Sequence, residues 1–105
     1  MNYQVIIQPI AFQEIETSYR WMCDNLNPEV ANNWYYELQD AIASLQKFPN
    51  RCTIAPEAKA VGREIRQLWI GKKRKYRVLF VVEEDIVAIV HVRDSRQSYL
   101  GEESE

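Results

Sequence analysis

A chain of 105 residues that is 47% apolar and 11% aromatic has enough material for one domain with its own core, which excludes a disordered chain or one that needs disulfide staples. No apolar run approaches the ~18 residues of a membrane span, and Met1-Asn2-Tyr3-Gln4 lacks the charged flank of a secretion signal, so a cytoplasmic protein with no membrane contact is expected. The net charge of −2 and the single histidine exclude a uniformly basic nucleic-acid binder and argue against a zinc site; Cys23 and Cys52 have no CxxC spacing and are expected to be reduced thiols, with no metal bound.

Tyr3, Val5 and Ile7 alternate with Gln4 and Gln8, the period of a half-buried strand, and Pro9 ends it by removing a donor. From Ala11 the period changes. Phe12, Ile15, Tyr19, Met22 and Leu26 recur at three and four residues, the stripe of an amphipathic helix. Asn27-Pro28-Glu29 closes that helix and opens another, with Asn27 as N-cap, Pro28 at the first helical position and Glu29 near the positive end of the helix dipole. The second helix carries Val30, Trp34, Leu38, Ala41, Ile42 and Leu45, and so short a link makes the pair an antiparallel hairpin. Trp21, Trp34, Tyr35 and Tyr36 are more aromatic than one buried stripe requires, which marks the helical surface for a partner.

Residues 49–62 hold Pro49, Asn50, Pro56 and Gly62 without a sustained period and are expected to form a loop. Strands follow at Glu64 to Ile70, Tyr76 to Val82 and Ile86 to Arg93, with Gly71-Lys72-Lys73-Arg74 as a turn. The expected fold is α+β in the order β-α-α-β-β-β: an N-terminal strand, then a two-helix antiparallel hairpin packed on one face of a small, mainly antiparallel sheet. A single domain spans 1–100, and the acidic tail 101–105 is expected to fray. If Glu83-Glu84-Asp85 is a three-residue hairpin loop, Val82 pairs with Ile86 and Arg77 lies opposite His91, on the solvent face away from the helices and shared with Arg93.

Charge is unevenly distributed. Residues 1–50 hold two basic side chains, Arg20 and Lys47, against six acidic ones, whereas residues 51–99 hold eleven basic against six acidic. Such a dipole makes one surface attractive to anions, although a solvated sheet edge kept soluble by lysine and arginine has the same signature. No GxGxxG, GxxxxGK[ST], HExxH or GxSxG pattern occurs, so no cofactor is expected. What remains is Arg66, Arg77, His91, Arg93, Arg96 and Tyr99, a set suited to metal-free RNA cleavage. Arginine forks neutralise the phosphate, histidine moves a proton, and tyrosine contacts a base. Each also has an ordinary structural role open to it: Arg77, for instance, can pair with Glu64 across the strands.

The pair of segments Tyr76-Arg77-Val78-Leu79-Phe80 and Val90-His91-Val92-Arg93-Asp94-Ser95-Arg96 resembles the RelE/ParE superfamily of toxins from bacterial toxin-antitoxin modules, and the element order fits along nearly the whole chain. The resemblance implies a growth-arresting toxin held inactive by a cognate antitoxin, in a heterotetramer or larger complex. In the RelE branch the target is ribosome-bound mRNA, cleaved without a metal; in the ParE branch it is DNA gyrase, poisoned without chemistry; a degenerate member kept as an interaction module is the third reading. On the RelE-like reading, expected to lead, Arg77, His91, Arg93, Arg96 and Tyr99 are the catalytic candidates, and Arg66, Lys73 and Lys75 the substrate contacts. Departures point the other way: only Arg66 stands on the second strand where lysines are usual, and Asp94 stands where a second histidine is common.

Overall fold

The run Tyr76-Arg77-Val78-Leu79-Phe80-Val81 is buried at every position, and a strand of that kind is stable only when covered on both faces and both edges. The computed structural model, which describes residues 2–71 and 75–94, meets that requirement by placing this strand at the centre of a five-stranded sheet. In chain order the elements are β1 (Gln4–Ile7), α1 (Pro9–Asn25), α2 (Pro28–Ser44), a 3-10 turn (Pro49–Arg51), β2 (Thr53–Ile54), α3 (Glu57–Val61), β3 (Arg66–Ile70), β4 (Tyr76–Glu83) and β5 (Ile86–Asp94). The strands lie in the order β1-β5-β4-β3-β2, and all pairings are antiparallel except β1 with β5.

The α+β class and the helical hairpin on one sheet face agree with the sequence reading. Ala11, Ile15 and Met22 of α1 and Ala31, Trp34, Leu38 and Ile42 of α2 pack on Val78, Phe80, Val87, Ile89 and Val92. The turn between the helices is built as its residues dictate: the Asn27 side chain accepts a hydrogen bond from the Val30 N–H at 2.9 Å, with Pro28 in the first turn. The stripe on α1 is shifted, however. Ala11 rather than Phe12 faces the sheet, leaving Phe12 61% and Leu26 55% exposed.

Residues 49–62 are not a plain loop. They form the 3-10 turn, the edge strand β2 and α3, and Ala55, between β2 and α3, joins Ile65, Leu79 and Val81 in a second small core on the other sheet face. This face is therefore covered, and the second core is what allows β4 to be apolar on both sides. Its elements are two to five residues long, too short for any periodicity to announce them.

The β4–β5 hairpin also departs from expectation. Its loop is Glu84-Asp85, two residues, with Glu83 opposite Ile86 and Glu84 in the left-handed region at φ 56°. That register alone would place Arg77 opposite Val92. A bulge intervenes: Phe80 pairs with Ile89 but Leu79 with His91, so Val90 is the extra residue and Arg77 comes opposite Arg93 instead of His91.

Removing the interhelical cap tests how much the hairpin depends on it. Asn27→Ala should cost ~1 kcal/mol and lower the melting temperature by roughly 4–8 °C in thermal denaturation followed by circular dichroism.

Candidate functional site

Arg77 and Arg93 are directly paired, and Leu79 with His91, so Arg77, His91 and Arg93 project from the sheet face away from the helical hairpin. Arg77 does not, however, reach solvent. Only 2% exposed, it lies beneath α3, where both terminal nitrogens of its guanidinium donate to the Glu57 carboxylate, Nη1 at 2.8 Å. Nη1 also donates to Gln67 Oε1 at 2.9 Å, and the guanidinium carbon lies 5.8 Å from the Trp69 ring centroid. The carboxylate that pairs with Arg77 is thus Glu57 and not Glu64. Burial makes the fork rigid and the pair mutually dependent, since either partner alone would be a buried charge.

His91 is held at the sheet edge. Strand β1 pairs only with Ile86 to Ile89, and beyond it α1 runs alongside β5. Here the Glu14 carboxylate substitutes for a strand: it accepts from the Val92 N–H at 2.9 Å and lies 3.1 and 3.2 Å from His91 Nδ1, with Arg93 Nη1 at 4.0 Å.

Arg66 works as a brace. It donates to the carbonyls of Asn50 and Cys52 at 3.2 and 2.6 Å and to Glu64 Oε2 at 2.6 Å, tying β3 to the segment that carries β2. Burial pushes the Cys52 thiol up despite the opposing influence of Arg51 and Arg66. Lys75 is exposed on the opposite flank, beside Trp34 and Tyr76. Lys73, Arg96 and Tyr99 lie outside the described residues.

Sequence reasoning missed the two carboxylates that organise this region. Pro56-Glu57 does carry a helix-start signature, and Glu14 interrupts the buried stripe of α1 between Ala11 and Ile15. Either could have signalled a carboxylate held for a partner.

The architecture is shared with known toxins. The family model for the ParE toxin of the type II toxin-antitoxin system parDE matches residues 5–99. The chain belongs to the ParE toxin family. Membership makes it the toxin of a ParDE-type module and implies an antitoxin partner. A solved structure titled "Chromosomal ParDE TA system from P. aeruginosa" is similar in fold, with a TM-score of 0.71 at 15% identity, covering 88% of this chain and 95% of that one. No curated protein sequence matches. Among the described residues of the toxin, no helix is long and apolar enough to cross a membrane.

The buried pair makes a sharp prediction. Arg77→Ala leaves Glu57 charged and unpaired, which should cost about 3–5 kcal/mol in urea denaturation, a large share of a typical ~5–15 kcal/mol of stability. Replacing both, as in Arg77→Met with Glu57→Leu, should restore most of that loss.

Proposed function

We propose that this toxin arrests growth by binding and poisoning DNA gyrase, and that it does not cleave mRNA. The observation that carries the reading is the Arg77–Glu57 pair. A phosphate-neutralising arginine must offer its fork to the substrate, and here the fork is spent on an internal carboxylate beneath α3. Arg66 and His91 are similarly engaged, by backbone carbonyls with Glu64 and by Glu14. Match to the ParE family model supports the same choice of branch.

A gyrase poison acts through surface complementarity, and the toxin carries apolar surface to spare. Between the helices, Phe12, Tyr35 and Tyr36 stand exposed around a groove of about 410 Å³ floored by Ile15, Leu38 and Ile42. We assign this groove to the antitoxin, whose apolar side chains would cover it, within a heterotetramer or larger complex.

Induction in a bacterial host separates the two mechanisms. The expected outcome is the SOS response and filamentation, with purified toxin causing gyrase–DNA cleavage complexes to accumulate on plasmid DNA. Rapid loss of protein synthesis with cut mRNA would overturn the proposal.

A further inference from the structure

A second apolar surface shares no residue with the groove between the helices. At the Asn27 turn, Trp21 (47% exposed), Leu26 and Val30 (40%) rim a groove of about 500 Å³ that runs to Trp34, Tyr76 and Lys75 at the end of the sheet. The fold has no need of these exposed side chains: the turn is held by the Asn27 cap, and Met22 and Trp34 supply the buried contacts on this side.

Two further features say what the groove would take. The Trp34 indole N–H is buried and has no hydrogen-bond acceptor among the described residues, a standing cost that an inserted carbonyl or carboxylate would relieve. Lys75 stands exposed on the rim and brings a positive charge to it. Glu37 also stands on the wall, beside Gly71.

We propose that this groove is the target-gripping surface of the toxin, and that it takes an apolar side chain carried on an acidic segment of the target protein. The proposal rests on the reading that the chain acts by binding a protein. Trp21 is the anchor, an aromatic at the mouth of a groove where a partner would desolvate it fully. Lys75 steers the acidic segment, and its effect should weaken with added salt. A toxin needs one surface for its antitoxin and one for its target, and the helical hairpin offers the two at opposite ends of α1, marked by Phe12 and Leu26.

The test uses the full-length toxin with Trp21→Ser and Leu26→Ser together, and separately Lys75→Glu, all checked for folding by circular dichroism. Each is assayed for growth arrest, for inhibition of purified gyrase, and for co-purification with the cognate antitoxin. The expected result for the double variant is at least a tenfold loss of gyrase inhibition and of toxicity, with antitoxin binding retained. Lys75→Glu should give a smaller loss that shrinks at high salt. A folded double variant that still inhibits gyrase overturns the proposal, and so does one that loses the antitoxin while remaining toxic. Should wild-type toxin leave gyrase untouched while the double variant still abolishes growth arrest, the gyrase reading fails and the groove assignment stands. If the double variant does not fold, Lys75→Glu, at an exposed position, decides: unchanged toxicity and gyrase inhibition at low salt count against the groove.

Discussion

The ion pair between Arg77 and Glu57 is the constraint on which the rest of this molecule depends. Strand β4 is apolar on both faces, so something must cover the face that the helical hairpin leaves open, and residues 53–61 are too short to build a large core there. The buried carboxylate pins α3 to the centre of the sheet, and Arg66 pins the chain entering β2. With α3 in place, Leu79 and Val81 are buried and the Arg77 fork is engaged by Glu57. The pair need not add stability over an apolar alternative, because desolvating two charges is expensive; what it supplies is direction, since a bidentate fork accepts one orientation of α3.

The opposite edge follows the same logic with a different device. An exposed strand edge invites pairing with other chains, and β1 is too short to protect the whole of β5. Glu14 closes the remainder by giving the Val92 N–H an acceptor and bringing His91 with it. In both places a carboxylate from a helix engages a side chain of the sheet, Glu57 with Arg77 and Glu14 with His91. Exposed aromatic and apolar side chains lie mainly on the helical hairpin, at Phe12, Trp21, Leu26, Val30, Tyr35 and Tyr36, with Ile6, Ile7 and Ile54 on the two edge strands.

Much of this could be read from the chain itself. The alternation at Tyr3 to Ile7, the three- and four-residue spacing through both helices, the Asn27-Pro28 cap and the apolar run of β4 are local patterns, set by the periods of strand and helix and by capping chemistry. They were enough for the class, the order of the longer elements and the hairpin, and the segments Tyr76 to Phe80 and Val90 to Arg96 were enough for the superfamily. What tertiary structure alone decided lies in contacts between residues far apart in sequence. Glu57 meets Arg77 across 20 positions and Glu14 meets His91 across 77, and no spacing rule encodes either. The bulge at Val90 is likewise invisible locally, because one extra residue in a run of apolar side chains leaves the pattern unbroken while it moves Arg77 from Val92 to Arg93. Sequence determined which residues are basic; only the packed sheet decided that Arg77 meets a buried carboxylate, because that contact needs β4 and α3 to be brought together in space.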